Sequence, residues 1–266
     1  MAKDFNNKVV WITGASSGIG EALAVAISGL NARLILSARR VEELKRVKGN
    51  CAEGIDIQIL PLDLSDADAL ETKTREAEAL FGQIDILINN GGISQRDGII
   101  DTTMEVQRDV MEVNYFGAIA LTTYTMPAMV KRGSGQQVVI SSAMGILSVP
   151  KRSAYAASKH ALHGWYDALR AEHHDDNIKV TLVCPGYVST QISYNAIKGD
   201  GTMNKSVDDV HKNGMPTDIF AAKAIKAILN EKQEAHVGGF LENLGVYTKR
   251  FFPVLYSIMV RKVAGG

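Results

Sequence analysis

The chain has 266 residues, with 29 basic and 29 acidic side chains and a hydrophobic fraction of 46%. This length suits one large α/β domain, and the composition excludes an intrinsically disordered protein. Because the charges balance, no long-range field attracts nucleic acid or an anionic membrane to the whole molecule, so an anion must be bound by local groups.

Short apolar runs alternate with longer helix-favouring segments along the chain. The runs cover residues 9–13, 32–37, 55–60, 84–89, 137–142 and 178–184, and their β-branched content is typical of buried parallel strands. The periodic segments cover residues 19–30, 67–81, 104–131, 154–173 and 218–230. This order predicts an α/β fold, a single-domain Rossmann-type doubly wound parallel β-sheet with helices on both faces, over residues 1–266.

The first predicted strand runs into a glycine-rich turn that opens a helix. Gly14, Gly18 and Gly20 are interleaved with Ser16, Ser17 and Ile19. Glycines at such a turn let the backbone approach a pyrophosphate, and the helix amino terminus supplies free N–H groups. The spacing differs from Gly-x-Gly-x-x-Gly, so the turn alone is equally compatible with simple tight-turn chemistry.

The second predicted strand ends in Arg39 and Arg40 without a carboxylate. Enzymes that use NAD usually carry an acid there, which accepts from the ribose hydroxyls. A guanidinium instead binds a 2′-phosphate through two charge-assisted hydrogen bonds. The pair therefore predicts NADP(H), and the alternative is a solvated cap of the following helix.

Two further strand ends carry candidate cofactor-binding residues. Asp63 and Leu64 follow the third run, and Asn90, Gly91 and Gly92 follow the fourth. Ligands of open α/β sheets bind at the carboxyl ends of strands, where Asp63 can accept from an adenine amino group. Each group taken separately is also explained as turn chemistry.

The predicted catalytic residues are Ser142, Tyr155 and Lys159. Tyr155 and Lys159 are four residues apart and so share one face of a helix. A neighbouring ammonium and an oxidised nicotinamide favour the phenolate of a phenol whose ordinary pKa is about 10. Ser142 ends a strand at the same crevice, where its hydroxyl can support a substrate oxygen as charge develops.

These motifs together resemble the short-chain dehydrogenase/reductase family over residues 8–237. The resemblance implies catalytic roles for Ser142, Tyr155 and Lys159 and a proton-relay role, through water, for Asn114. It also implies that the segment with Pro185, Gly186, Val188 and Thr190 contacts the cofactor, with Thr190 steadying the nicotinamide carboxamide or the phosphates. Gly92 departs from the family, which usually has alanine at that position.

Residues 187–216 form a long irregular segment, which we interpret as a substrate lid. Its sequence resembles the member-seven branch of the family, whose relatives handle steroid, retinoid or lipid carbonyls and often carry an amino-terminal membrane anchor. The side chains expected to face an apolar substrate are Tyr187, Ile192, Tyr194, Ile197, Met203 and Met215. Loop packing explains those side chains equally well.

The remaining expectations concern location and partners. Polar residues 1–7 leave no room for a secretory signal, no apolar run reaches the length of a membrane span, and we expect a cytoplasmic protein with Cys51 and Cys184 reduced. The histidines show no metal-ligand spacing, so no metal is expected. The tail, residues 240–266, could lie weakly on a membrane surface or, as we prefer, bury itself in a partner subunit.

The sequence therefore predicts an NADP(H)-dependent carbonyl reductase or alcohol dehydrogenase. Its substrate is expected to be a small apolar ketone, aldehyde or secondary alcohol, with Tyr155 as general acid/base. The family resemblance implies a homodimer or homotetramer. An NAD-dependent dehydrogenase of the same family and a non-catalytic NADP(H)-binding sensor are the alternatives, and retention of Ser142, Tyr155 and Lys159 argues against the sensor.

Overall fold

A computed structural model describes residues 4–206 and 212–263. One sheet contains seven strands in the order β3-β2-β1-β4-β5-β6-β7, and all neighbours are parallel. The strands are β1 (Val9–Thr13), β2 (Arg33–Ser37), β3 (Ile57–Ile59), β4 (Ile86–Asn89), β5 (Gly135–Ile140), β6 (Ile178–Pro185) and β7 (Glu234–Val237). The predicted doubly wound parallel sheet is confirmed.

Helices cover both faces of this sheet. They are α1 (Gly18–Ser28), α2 (Val41–Asn50), α3 (Ala67–Phe81), α4 (Met104–Met111), α5 (Gly117–Arg132), α6 (Ser153–Glu172), α7 (Thr217–Leu229), α8 (Phe240–Phe251) and α9 (Pro253–Val263). Successive β1 residues point to opposite faces, so Val10 and Ile12 join one core cluster while Val9 and Trp11 join the other. Burial of both faces explains why the strands read as unbroken apolar runs.

Several elements depart from the predicted pattern. The segment predicted as one helix over residues 104–131 is two helices joined by a π-helical turn, Glu112–Phe116. The helix α2 and the strand β7 were not predicted, because α2 is largely polar and β7 has only alternate buried residues. Strand β5 begins and ends two residues earlier than predicted, which leaves Ser141 and Ser142 beyond its carboxyl end.

The chain order creates a crevice at the centre of the sheet. From β1 the chain proceeds outward through β2 and β3, and then returns to add β4 on the other side of β1. Connections from β1 and β4 therefore leave in opposite directions at their carboxyl ends. Such a switch point is where ligands bind in open α/β sheets, and the candidate site lies there.

The described part of the predicted lid is held to the preceding chain by backbone hydrogen bonds. Ile197 N donates to Ser94 O over 2.9 Å, and Arg96 N donates to Ile197 O over 2.8 Å. Met215 N and Tyr187 O are 2.8 Å apart, which ties the end of the segment to its beginning. Residues 207–211 of the predicted lid lie outside the described residues, and lid closure stays a prediction.

Candidate active site

The glycine turn can take only glycine at two of its positions. Gly14 has φ of +63°, and a Cβ there would lie 2.7 Å from Gly91 Cα. A Cβ on Gly20 would lie 2.3 Å from Gly14 O. The turn is thus packed so closely on itself and on the end of β4 that any side chain would push these backbones apart.

Thr13 and Asn90 fix this turn from the neighbouring strand ends. Asn90 Nδ2 donates to Thr13 O over 2.9 Å and to Gly14 O over 3.2 Å. Thr13 Oγ1 accepts from the backbone N of Asn90 and of Gly91, at 3.1 and 3.0 Å. The structure therefore gives Asn90 and Gly91 a role in shaping the anion-binding turn.

The amino terminus of α1 is available to an anion. Ser17 at its N-cap makes no side-chain cap hydrogen bond, so the N–H groups of the first turn, which includes Ile19, are not capped by that hydroxyl. The Thr190 side chain borders the same turn, because a Cβ on Gly18 would lie 3.3 Å from Thr190 Cγ2. These donors and the close glycine packing fit a dinucleotide pyrophosphate.

Two arginines stand at the mouth of the turn. Arg40 Nη2 donates to Ser16 Oγ and Ser17 Oγ, each over 3.1 Å. Arg39 Nη1 lies 4.0 Å from Asp63 Oδ2, and the Arg39 side chain is 69% exposed. The predicted pair therefore separates into one guanidinium that reaches the serines of the turn and one that faces solvent beside Asp63.

Asp63 and Leu64 are partly engaged by the protein. Asp63 Oδ1 accepts from the backbone N and the hydroxyl of Ser65, over 3.0 and 2.7 Å. Burial raises the pKa of Asp63, but these bonds and the charge of Arg39 outweigh it and leave the pKa below its usual value. Leu64 packs so closely that a Cβ on Gly91 would lie 2.5 Å from its Cδ1.

Arg46 was missed by sequence reasoning because it stands well inside the polar helix α2. Its Nη1 and Nη2 atoms pair with Glu21 over 2.6 and 2.8 Å, and Nη2 lies 3.5 Å from Ser16 O. Hydrogen bonds to Glu21 and Glu43 raise the pKa of Arg46. This arginine joins α1 to α2 and keeps a third positive charge near the turn.

The predicted acid/base group lies at the other end of the crevice. Ser142 follows β5 and its hydroxyl accepts from Met144 N over 3.1 Å. Tyr155 lies in the first turn of α6, close enough for the Ser142 side chain to lower its pKa. Burial raises the pKa of Tyr155, while the Ser142 side chain and the charge of Arg152 oppose this effect. Arg152 is itself buried and donates to Ser94 Oγ over 2.7 Å.

Lys159 lies one helical turn from Tyr155 but is anchored elsewhere. Its Nζ donates to Ile140 O over 2.9 Å and lies 5.7 Å from the centre of the Tyr155 ring. Burial lowers the pKa of Lys159 to about 8. In the chain alone, the groups that lower the Tyr155 pKa are Ser142 and Arg152, and the tuning of Tyr155 by Lys159 stays a prediction. Arg152 was missed although it directly precedes α6.

Asn114 lies in the π-helical turn and is almost completely buried. Its Oδ1 accepts from Ile93 N over 2.7 Å, and its Nδ2 donates to Ile93 O and Ser158 Oγ over 2.9 and 3.0 Å. Both polar atoms of the side chain are thus used to join the loop after β4 to α6. A Cβ on Gly92 would lie 3.0 Å from Asn114 Oδ1. The water relay stays a prediction.

The segment after β6 approaches the crevice as the resemblance implied. Pro185 is the last residue of β6, and Gly186 lies so close to the chain after β7 that a Cβ there would be 2.9 Å from Gly238 Cα. Val188 is buried and bridges to Met215. Among the predicted residues of this segment, Thr190 is the one shown to border the glycine turn.

A cluster behind Lys159 was not visible in the sequence. One ligand-type atom each of Cys184, Glu234 and His236 lies within 4.8 Å of the others. His236 Nε2 is 2.6 Å from Glu234 Oε1, while His163 Nε2 is 2.9 Å from Ser141 Oγ and 3.7 Å from Cys184 Sγ. Burial raises the pKa of the Cys184 thiol and lowers that of His163. We assign this hydrogen-bonded cluster to the packing of α6 against β6 and β7.

Comparison with known proteins agrees with this arrangement. A family model described as short chain dehydrogenase matches residues 8–200. The chain is 42% identical to a Drosophila melanogaster protein named dehydrogenase/reductase SDR family protein 7-like, over 99% of this chain and 83% of that protein.

Solved structures share the fold. A short-chain dehydrogenase/reductase from Burkholderia phymatum in complex with NAD has a TM-score of 0.84 at 22% identity, covering 95% of this chain and 96% of that one. An alcohol dehydrogenase from Thermococcus sibiricus complexed with 5-hydroxy-NADP has a TM-score of 0.75 at 24% identity, with 88% and 97% covered. Among the helices of residues 4–206 and 212–263, none is long and apolar enough to cross a membrane. The chain belongs to the short-chain dehydrogenase/reductase family of oxidoreductases.

Proposed function

We propose that this oxidoreductase uses NADP(H) to interconvert an apolar ketone or aldehyde and the corresponding alcohol, with Tyr155 as general acid/base. The observation that carries the proposal is the meeting of three side chains beyond the carboxyl end of β5: Ser142 lowers the pKa of the buried Tyr155, and Lys159 Nζ lies 5.7 Å from the centre of the Tyr155 ring. A substrate oxygen placed between the two hydroxyl groups would be polarised by both.

The choice of NADP(H) is supported by the charges at the glycine turn. Arg40 holds its guanidinium over the hydroxyls of Ser16 and Ser17, and Arg39 lies nearby with an exposed side chain. No carboxylate ends β2, which finishes at Ser37 and is followed by Ala38. A 2′-phosphate would meet donors there, whereas the ribose hydroxyls of NAD would lack their usual acceptor.

The catalytic end supplies proton transfer and orientation. When bound, the reduced nicotinamide supplies the hydride. Tyr155 Oη gives its proton to the carbonyl oxygen, and the Ser142 hydroxyl donates to the same oxygen as negative charge develops. Lys159 and Arg152 place positive charge near the phenolate that remains. Asn114 fixes the loop after β4 against α6, the helix that carries Tyr155 and Lys159, and so helps to hold that helix in position.

An apolar substrate is supported by the chain that follows Ser142. Leu147 is buried, and Met144, Ile146 and Val149 pack in one apolar cluster with Val246. The cluster begins at Ala143, directly after Ser142, so apolar side chains are available next to the proposed catalytic serine. The apolar side chains predicted from residues 187–216 add to this interpretation without deciding it.

The decisive measurement is kcat/KM for NADPH and NADH with a panel of aldehydes, quinones, steroids and retinal. We expect consumption of reduced cofactor, with NADPH preferred by on the order of tenfold or more because a guanidinium–phosphate contact is charge-assisted. A preference for NADH would overturn the cofactor assignment. Tight NADPH binding without turnover of any carbonyl would instead favour the non-catalytic sensor.

We also propose a cytoplasmic homodimer or homotetramer assembled through α5 and α6. The observation that supports an interface is the partial exposure of Phe116 and Tyr124, at 48% and 37%, before and within α5. Light scattering after size-exclusion chromatography tests the assembly. Replacement of both residues by serine should lower the measured mass, whereas a monomeric parent protein would contradict the assembly.

A further inference from the structure

The helices α8 and α9 form a surface, here called the C-terminal surface, with many exposed apolar side chains. Seven of them are between 51% and 80% exposed, namely Phe240, Leu241, Tyr247, Phe251, Phe252, Val254 and Leu255. Aromatic and aliphatic side chains concentrated on two consecutive helices exceed the scattered exposure usual for a soluble protein surface. The area therefore fits a partner that can accept apolar groups.

The opposite side of these helices is firmly packed on the crevice. Val246 and Tyr256 are buried in the cluster with Leu147, and Tyr256 Oη donates to Ser148 O over 2.6 Å. The helices are thus held in place by contacts of their own. The apolar side chains on the outward side of the two helices take no part in this packing and remain exposed.

Charges around the C-terminal surface identify the kind of partner. Lys249, Arg250, Arg261 and Lys262 are the basic residues of α8 and α9, and Glu242 is their single acid. Glu242 turns back to the chain after β6, where its Oε1 accepts from Tyr187 N over 3.3 Å. Lys249 Nζ lies 5.7 Å from the ring centre of the buried Tyr256, so the exposed charges of the surface are Arg250, Arg261 and Lys262. These three, here called the rim, are positive although the whole chain is neutral.

This positive rim disfavours a second copy as the occupant. In a two-fold dimer the same patch meets itself, so the basic rims of two copies would approach each other. An anionic lipid surface satisfies both features, because headgroups pair with the basic side chains and the acyl boundary accepts the aromatic ones. We propose that the C-terminal surface docks onto membranes that contain anionic phospholipid, without crossing them, a property separate from the proposed catalysis.

Flotation of the full chain with vesicles tests this docking. With vesicles of equal parts phosphatidylcholine and phosphatidylserine at low salt, we expect the protein to float with the lipid. Pure phosphatidylcholine should bind it at least several-fold less, and raised salt should reduce binding to the mixed vesicles because it screens the rim charges. Equal flotation with both compositions, or none with either, would overturn the proposal.

Paired variants separate the apolar contribution from the electrostatic one. Phe251→Ser with Phe252→Ser should abolish flotation, while Ile99→Ser with Ile100→Ser, which are 70% and 96% exposed elsewhere, should not. Arg261→Gln with Lys262→Gln should weaken binding by on the order of tenfold. The control, Lys223→Gln with Lys226→Gln on α7, should leave it unchanged.

Light scattering distinguishes the competing occupant. If the Phe251→Ser/Phe252→Ser variant converts a larger assembly to a smaller one while the parent fails to float, the occupant is a second copy and the proposal is wrong. Both phenylalanines are mostly exposed, at 69% and 64%, so thermal unfolding of the variant should match that of the parent.

Discussion

The two ends of the crevice use charge in different ways. At the glycine turn, Arg39 and Arg40 are exposed residues whose charges water and salt screen, even though Arg40 also donates to Ser16 and Ser17. At the catalytic end, Lys159 and Arg152 are buried and hydrogen-bonded to Ile140 O and Ser94 Oγ. The exposed charges suit graded discrimination between cofactors, whereas the buried ones suit the proposed proton transfer, in which they would tolerate little change.

The sharpest way to test this contrast is Tyr155→Phe. We expect kcat to fall by about 10²- to 10⁴-fold, because the phenol is the proton donor, while the dissociation constant for NADPH stays unchanged. Stopped-flow turnover and fluorescence titration of NADPH measure the two quantities. Retention of most of the turnover would move the acid role to another group.

Gly14→Ala is the corresponding test at the glycine turn. We expect weakened NADPH binding and lower stability, since the new Cβ would press on Gly91 Cα. The matched control is Gly133→Ala, where φ is +66° but nothing lies within 4 Å. That control should cost about 1–2 kcal/mol of folding free energy without affecting NADPH affinity. Equal effects of the two variants on affinity would contradict the close approach.

Arg40→Gln should produce a smaller, selective effect. We expect kcat/KM for NADPH to fall on the order of tenfold while that for NADH changes little, because the lost charge-assisted contact serves the 2′-phosphate, which NADH lacks. Arg39→Gln provides the comparison, since Arg39 faces solvent beside Asp63. An equal loss with both cofactors would show that Arg40 shapes the turn and does not select the phosphate.

Lys159→Met tests whether the buried charge of Lys159 lowers the free energy of unfolding. The folded chain holds a lysine whose pKa is lowered from 10.5 to about 8, so below pH 8 folding must bury an ammonium that the unfolded chain hydrates. We expect the variant to be more stable than the parent near pH 7, by on the order of 1 kcal/mol after loss of the bond to Ile140 O.

This advantage should shrink as pH rises from about 8 towards 10.5, because the parent lysine then becomes neutral in both states. Chemical unfolding across that range measures the difference, with Lys226→Met as an exposed control. A difference that does not depend on pH would contradict the lowered pKa.

The sequence predicted the sheet and the candidate site residues more completely than it predicted the side-chain contacts within the site. Apolar runs, with periodic helices between them, predict β1 to β6 along the chain, since both faces of each strand must be buried. Motif spacing predicted that Ser142, Tyr155 and Lys159 lie together, and the structure places the three side chains at one end of the crevice. The spacing could not show that Lys159 Nζ donates to Ile140 O, because that contact depends on side-chain conformation across the crevice.

Residues contributed by distant segments were the ones missed. Arg46 reaches the glycine turn from α2, and His163 meets Cys184 and Glu234 only after α6, β6 and β7 are packed together. No local pattern marks such contacts. The helix α2 was missed for a related reason, since only Leu44 and Val47 of its residues are buried.

The π-helical turn Glu112–Phe116 has a consequence for insertions and deletions in this chain. It accommodates one residue more than a regular helix, and each α-helical residue rotates the chain by about 100°. Deleting a single residue there would restore a uniform helix but would swing Asn114 away from Ile93. It would also rotate Leu121 and Met129 out of phase with the core that they fill. A chain that lacks one residue of this turn would therefore not form the same contacts between Asn114, α5 and the core.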